Sequence, residues 1–154
     1  MEEIRIRPAT IGDLEVILHH RTAMFTDMGH WDAARLALMR PSAEAFLRVR
    51  LVDGTYRGWL AVTADGRAAA GGGIAIIPWP GSPEDPAPRR AWVQNIYTEP
   101  EFRRRGIARQ IMETIVEWCR GQCFHAVSLH ASTFGRPLYE AMGFRQTNEM
   151  RLYL

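Results

Sequence analysis

One stretch of the chain, residues 99 to 109, reads Glu99-Pro100-Glu101-Phe102-Arg103-Arg104-Arg105-Gly106-Ile107-Ala108-Arg109. It joins a predicted strand, Trp92 to Thr98, to a predicted amphipathic helix, Gly106 to Arg120. The first turn of a helix presents N–H groups without intrahelical partners, and glycine lets an anion approach them closely. The four arginines add positive charge. The stretch therefore predicts a site for a phosphate-bearing ligand, although a solvated basic turn that only begins a helix has the same composition.

Beyond this helix, a short strand from Ala126 to His130 completes a β-α-β unit. A helix from Arg136 to Met142, closed by Gly143, comes next. Alternating residues from Phe144 onward predict one or two final strands.

Before the basic stretch, Ile4 to Arg7 alternates as a half-buried strand does. Thr10 is the predicted N-cap of a helix from Ile11 to about Met28, with Gly29 as its stop. A second helical region runs from near Asp32 to Asp53-Gly54 and is expected to break or bend at Pro41. One face of the first helix repeats at helical spacing through Leu14, Ile17, Leu18, Arg21, Met24 and Phe25.

Two apolar segments, Trp59 to Thr63 and Ala68 to Ile77, flank Asp65-Gly66, which predicts an antiparallel hairpin. The segment from Pro78 to Pro88 is rich in proline, glycine and acids and predicts a solvated loop. The element order predicts an α+β fold with a mixed, mostly antiparallel sheet of six to seven strands, flanked by about four helices.

Composition narrows the class of protein. The chain has 154 residues, 47% of them hydrophobic, and a formal net charge of +2, which fits one domain over residues 1–154 and does not favour a nucleic-acid partner. Met1 to Arg7 contains no apolar run typical of a signal peptide, and no segment approaches the ~20 apolar residues of a membrane span. We expect a soluble, cytoplasmic protein without a membrane partner.

Metal and thiol chemistry are not expected. Cys119 and Cys123 are four residues apart at a predicted helix end, which fits buried, inert thiols better than a redox or zinc motif. The adjacent His19 and His20 should point in different directions on a helix and form no joint metal site.

Two motifs resemble a known family. Arg103-x-x-Gly106-x-Ala108 resembles the pyrophosphate-binding signature of the GNAT (N-acetyltransferase) superfamily, and Leu138-Tyr139-Glu140-Ala141-Met142-Gly143-Phe144 resembles its C-terminal element. The resemblance covers Trp92 to Phe144. It implies the GNAT fold, acetyl-coenzyme A as cosubstrate without a metal, and acetyl transfer to an amine of a small molecule or peptide.

The resemblance also implies roles for residues. Main-chain N–H groups from Arg104 to Arg109 would hold the pyrophosphate. Main-chain groups of Ile96 and Thr98 would pair with the pantetheine arm, beside a bulge and a gap between the parallel strands. Ser132 stands where the family often has asparagine, so its contact is direct or through a water. The implied cofactor-binding residues are Ile96, Tyr97, Thr98, Arg103, Arg104, Arg105, Gly106, Ile107, Ala108, Arg109 and Ser132.

Tyr139 matches the family's usual general acid, which protonates the departing thiolate, and its alternative role is that of a core tyrosine. The general base stays open among His130, Glu99, His30 and Asp32, while Gln94 and Asn95 can position a water. The segment from His19 to His30 lies where the family usually builds an acceptor wall, and the alternative role of its Met and aromatic side chains is that of core residues.

Two other functional classes are compatible with parts of the sequence. A non-catalytic module that binds acyl-coenzyme A would share the fold, and a nucleic-acid contact through Arg103 to Arg105 would be lost in salt. Dimers are common among similar proteins, which keeps a homodimer open.

Overall fold

A single five-stranded sheet organises the protein in the computed structural model, which describes residues 3–154. Met1 and Glu2 lie outside the described residues. They belong to the segment Met1 to Arg7, for which the sequence predicts no signal peptide. Neighbouring strands are antiparallel except β4 and β5, which are parallel. This confirms the predicted α+β class with a mixed, mostly antiparallel sheet. In spatial order, the strands are β1 (Ile4–Pro8), β2 (Tyr56–Thr63), β3 (Ala68–Pro78), β4 (Arg89–Thr98) and β5 (Val127–Ser128).

Four α-helices cover the two faces of the sheet, as predicted. They are α1 (Leu14–Met28), α2 (Ala33–Asp53), α3 (Ile107–Gly121) and α4 (Arg136–Ala141). Helices α1 and α2 share one apolar cluster with Tyr56 and Ala75, whereas α3 and Tyr139 of α4 belong to a second cluster with the strands. Within residues 3–154, none of the helices combines the length and apolar composition needed to cross a bilayer.

Local signals at the ends of α1 act as predicted. The Thr10 hydroxyl accepts from the Gly12 N–H at 3.2 Å, and the Asp13 carboxylate accepts from the Thr10 N–H at 2.8 Å. This capping box satisfies two N–H groups that a helix start leaves without partners. The first turn, Ile11–Asp13, is 3-10 rather than α. Gly29, with φ of 74°, ends the helix in the left-handed conformation.

The sequence predicts that the second helical region breaks or bends at Pro41. The prediction of a break is wrong, because α2 runs continuously from Ala33 to Asp53 with Pro41 inside it. Proline lacks the N–H that would bond to the carbonyl four residues earlier. Packing of α2 against α1 and β2 holds the helix together in spite of that loss. Asp32 caps it, as its carboxylate accepts from the Arg35 N–H at 2.8 Å.

The hairpin predicted at Asp65-Gly66 is present between β2 and β3, and Gly66 has φ of 86°. β2 begins three residues earlier than predicted and β4 begins at Arg89 rather than Trp92. The segment between β3 and β4 contains no helix or strand, as expected for a loop.

The prediction of six to seven strands is wrong, because five strands are present and none follows Phe144 in the described chain. β5 is also only two residues long instead of spanning Ala126 to His130. A strand needs a neighbour for its N–H and C=O groups, and alternation of residue types does not provide one. The apolar side chains of the C-terminal segment stay exposed: Met150, Leu152, Tyr153 and Leu154.

The two cysteines differ. Cys119 lies on α3 and is buried in the core, as predicted, and burial raises the pKa of its thiol to about 11, which disfavours the reactive thiolate. The prediction of a buried thiol is wrong for Cys123, which lies past the end of α3 and is exposed.

Three consecutive glycines, Gly71 to Gly73, lie in the middle of β3. A Cβ at Gly71 would lie 2.8 Å from His20 Nδ1, and one at Gly73 would lie 2.5 Å from the Tyr56 hydroxyl and 2.6 Å from the Arg57 carbonyl oxygen. The glycines therefore allow ring side chains and a neighbouring strand to pack directly on the main chain.

We expect Gly73→Ala to destabilise the protein by about 1–3 kcal/mol, because the Arg57 carbonyl belongs to a paired strand and cannot move aside. Thermal unfolding measures the loss. Gly121→Ala, whose added Cβ would meet nothing within 4 Å, serves as the control and should not lower the midpoint. Equal midpoints for the two variants would contradict the packing argument.

Candidate active site

A gap opens between the two parallel strands. β4 and β5 pair only at Ala91 with Val127 and at Trp92 with Ser128. From Val93 to Thr98, no residue of β4 pairs with β5 in the described chain. The edge of β4 that faces the gap therefore has main-chain groups available for a ligand. The resemblance implied this gap.

A β-bulge lies where β4 passes the gap. Gly73 is opposite Gln94 and Gly71 is opposite Tyr97, so Asn95 and Ile96 together face the single Gly72. Asn95 has φ of 61°, in the left-handed region that asparagine tolerates better than most residues. The bulge breaks the alternation of the strand and directs the Asn95 side chain toward α1.

The basic turn forms an uncapped helix start. Gly106 is the N-cap of α3 with φ of 75°, and no side chain caps the helix. Ile107, Ala108 and Arg109 form its first turn, whose N–H groups have no intrahelical acceptor. A Cβ at Gly106 would meet nothing within 4 Å, so the space beside the turn is open. A diphosphate fits this turn, because exposed amides and the helix dipole both favour an anion.

Arg103 is held by the protein itself. Its Nη2 donates to Asp27 at 2.6 Å, its Nε donates to the Thr98 carbonyl at 3.0 Å, and its guanidinium lies over the Tyr97 ring. Asp27 is in the last turn of α1, so the pair fastens that helix to the turn before α3. The Thr98 carbonyl keeps one lone pair for another donor.

The other predicted arginines differ in their surroundings. Arg109 donates to Glu113 at 2.9 Å along α3, and Arg105 lies over the Phe102 ring at 5.3 Å. Arg104 is exposed and has φ of 62°. Exposed guanidinium groups add positive potential beside the uncapped turn.

Tyr139 is buried in α4 with its ring edge-on to Phe144, and Gly135 is the glycine against which it packs. Burial raises the pKa of its phenol to about 12, so it is protonated at neutral pH. The Tyr139 hydroxyl forms no hydrogen bond with any described residue. It is also not completely enclosed by the protein. It is therefore available to a ligand.

Comparison with known proteins agrees with this arrangement. The model of the "Acetyltransferase (GNAT) family" matches residues 18–144. The chain belongs to this family. A human relative, "N-acetyltransferase 8", is 31% identical over 71 residues, which cover 43% of this chain and 31% of that protein. The matched part of this GNAT chain thus spans about a third of that relative.

Solved structures extend the likeness to the whole chain. A GCN5-related N-acetyltransferase from Ralstonia eutropha JMP134 superposes with a TM-score of 0.94 at 35% identity, covering 99% of both chains. A predicted acetyltransferase from Clostridium acetobutylicum, solved with acetyl-CoA, has a TM-score of 0.89 at 24% identity and covers 99% of this chain and 96% of that one. The second likeness shows a shared fold.

In this GNAT protein, Ser132 stabilises the turn before α4. Its hydroxyl oxygen accepts from the Gly135 N–H at 3.1 Å, and its carbonyl accepts from the Arg136 N–H at 3.0 Å. The hydroxyl proton is still free to be donated. A cofactor contact by Ser132 stays a prediction.

The candidate bases lie in different places. His130 pairs with Glu149 and has its ring edge-on to Trp92, the last residue of β4 that pairs with β5. Asp32 caps α2, and His30 packs against Trp31. Of the four candidate bases, only His130 and Glu99 are close in the chain to the strands that border the gap.

Glu99 is shared by the two adjacent histidines. His19 is exposed and its Nε2 lies 2.8 Å from Glu99 Oε1, whereas His20 is buried with its Nε2 at 3.5 Å from the same oxygen. The expectation that the histidines point apart is thus wrong for their tips, which converge on one carboxylate. Within residues 3–154, no cluster of three or more His, Cys, Asp or Glu is arranged for a metal ion.

His20 makes the protein sensitive to acid. Burial, with a smaller contribution from the neighbouring His19, lowers the pKa of His20 to about 4. In the unfolded chain the pKa is about 6.5, so below that pH the unfolded state binds a proton that the folded state does not. Stability should therefore fall by about 2 to 3 kcal/mol between pH 7 and pH 4.5.

Denaturant unfolding of wild type and His20→Leu at the two pH values measures this loss. The variant should lose less stability on acidification, while His30→Gln, at an exposed site, should behave like wild type. An unchanged pH dependence in His20→Leu would show that other groups cause the acid sensitivity.

Sequence reasoning missed one cluster. Arg21 Nη1 donates to Asn95 Oδ1 at 2.9 Å, and Asn95 Nδ2 donates to the buried Tyr56 hydroxyl at 2.9 Å. The signal was present, because Arg21 is the one charged residue on the apolar stripe of α1. A strand prediction alone did not show that Asn95 would face it.

Proposed function

We propose that the protein is an acetyl-coenzyme A-dependent N-acetyltransferase that acts on an amine of a small molecule or peptide, within one domain over residues 1–154. Membership of the GNAT family supports acetyl transfer in general. The observation that carries the proposal is the uncapped start of α3 at Gly106, next to the end of β4 that β5 leaves unpaired. A cytoplasmic location stays a prediction from the sequence.

Binding of the cosubstrate would use main-chain groups. The N–H groups of Ile107, Ala108 and Arg109 are placed to bind a diphosphate, and the open edge of β4 at Ile96 offers hydrogen bonds to an extended amide chain. Acetyl-coenzyme A would supply an activated thioester. The residues named here would fix its position relative to the acceptor.

The transfer needs two proton movements. The amine forms a C–N bond to the acetyl carbon, the C–S bond breaks, and the amine gives up a proton to a base, directly or through water. Tyr139 would return a proton to the sulfur. His130 and Glu99 are the candidates for the base. Cys119 is buried with a raised pKa, which disfavours a route through a cysteine thioester.

Two measurements test the proposal. Calorimetric titration with coenzyme A should give binding, and incubation of acetyl-coenzyme A with a panel of amines should release free thiol with an acetylated product detected by mass spectrometry. Binding without transfer to any amine would favour the non-catalytic acyl-coenzyme A module. Absence of binding would overturn both functions.

A further inference from the structure

A pocket of about 230 Å³ lies between α1, α2 and β4. One wall is apolar and comes from Met39, Phe46 and Leu47 of α2. The opposite wall is polar and comes from Arg21, Gln94 and Asn95. The pocket reaches the bulge of β4. The main chain of the same bulge lies in the part of β4 that does not pair with β5 and therefore borders the gap. A ligand in the pocket therefore lies beside the proposed acetyl-transfer site.

Arg21 is a half-buried cation that forms no ion pair with a described carboxylate. Of its five N–H donors, one bonds to Asn95, and Nε is fully buried with no partner in the described chain. No carboxylate of residues 3–154 forms an ion pair with it, and burial lowers the pKa of its guanidinium. Its charge lies 5.1 Å from the centre of the Phe25 ring, which holds it over the apolar layer.

Such an arrangement costs stability. A half-buried charged group with a buried N–H donor that finds no partner is held in an unfavourable environment. Among the described residues that line the pocket, none is acidic. The missing partner is thus an anion that enters from outside, and a planar guanidinium matches a carboxylate with two parallel hydrogen bonds.

The pocket also limits the size of the ligand. Its volume is below the roughly 300–1,000 Å³ of sites for drug-sized molecules. The apolar wall suits a hydrocarbon or thioether side chain, and the polar wall suits a carboxylate held near an amine.

We propose that Arg21 binds the carboxylate of the acceptor, and that the acceptor is a small amine bearing that carboxylate and an apolar side chain. The chemistry is shared by a free apolar amino acid and by the C-terminal residue of a short peptide. The inference rests on the proposed acetyl transfer and names its substrate class. Arg21 acts here as a specificity residue and takes no part in the transfer of protons.

The first test compares matched acceptors. Thiol release is measured with leucine and leucinamide, methionine and methioninamide, and glycyl-leucine and its amide. Wild type should show kcat/KM about ten- to a hundredfold higher for the carboxylate member of at least one pair. This is the factor expected when a hydrogen-bonded pair of opposite charges is formed. Whether the free amino acid or the dipeptide is favoured identifies the source of the carboxylate.

Variants connect that preference to Arg21. Arg21→Gln should abolish the difference within a pair, and Arg21→Lys should restore part of it. Glutamine can still donate to Asn95, and coenzyme A binding reports whether the variant is folded. Arg48→Gln is the control, because Arg48 lies on α2, is exposed and pairs with Glu44. It should keep the wild-type preference.

A second readout does not depend on catalysis. Titration with N-acetyl-leucine and N-acetyl-leucinamide, followed by NMR, should show that wild type binds the carboxylate more tightly and that Arg21→Gln binds both alike. Equal binding and equal turnover of acids and amides would overturn the inference and leave acetyl transfer intact. Arg21-dependent binding without any turnover would uphold the carboxylate site and count against the transferase. Failure of every carboxylate to bind or react would overturn the inference.

Discussion

Replacing Tyr139 by phenylalanine should lower kcat about a hundredfold and leave the dissociation constant of coenzyme A unchanged. A positioned general acid raises the rate roughly 10²–10⁴-fold, and the substitution removes only the hydroxyl group. Its hydroxyl bonds to no described residue, so the variant leaves no buried group without a partner and should unfold at nearly the wild-type temperature. Steady-state thiol release and calorimetry measure the two quantities.

The pH dependence adds a second check. Because burial raises the pKa of Tyr139 to about 12, the phenol stays protonated from pH 7 to pH 9.5, and the deficit of the variant should be constant over that range. Tyr153→Phe is the matched control, since Tyr153 is 83% exposed in the C-terminal segment. If Tyr139→Phe retained kcat within threefold of wild type, the proton would have to come from another group or from water.

Replacing Gly106 by alanine should weaken coenzyme A binding by at least tenfold. A residue other than glycine at φ of 75° costs about 1–2 kcal/mol, and relief of that strain would reorient the amides of the first turn of α3. Loss of one charge-assisted hydrogen bond to a diphosphate costs about 1.5–3 kcal/mol. Calorimetric titration measures the change in affinity.

Two controls separate backbone strain from loss of the binding site. Gly66→Ala has the same kind of strain, with φ of 86° and nothing within 4 Å of the added Cβ, but lies in the β2–β3 turn. It should lower the melting temperature by as much as Gly106→Ala, by a few degrees, with no change in affinity. Equal affinities for coenzyme A in the two variants would remove Gly106 from the binding site.

The residues of the proposed donor site and those of the proposed carboxylate site come from different parts of the chain. The basic turn and the motif around Tyr139 lie between residues 99 and 144, in the part that carries the resemblance. Arg21 and the apolar wall of α2 come from the first half, which carries no diagnostic motif. A shared donor site and a separate acceptor pocket let proteins of one fold act on different amines.

Local signals predicted most elements of the fold. The Thr10 cap, the Gly29 stop and the Asp65-Gly66 hairpin depend on a few neighbouring residues, and all three appear in the structure. Two of the wrong predictions have a common cause. Whether Pro41 breaks a helix and whether the residues after Phe144 form a strand depend on packing and pairing partners far away in the chain.

The sequence by itself determined the element order as far as α4, the helix start at Gly106 and the candidate acid Tyr139, because each follows from residues close together in the chain or from a motif. Only the tertiary structure decided that His20 is buried beside Glu99 and that Arg21, Asn95 and Tyr56 form one network. A bulge in β4 turns Asn95 toward α1, and strand pairing sets that bulge. Contacts between residues this far apart arise only when the sheet assembles, so no local pattern contains them.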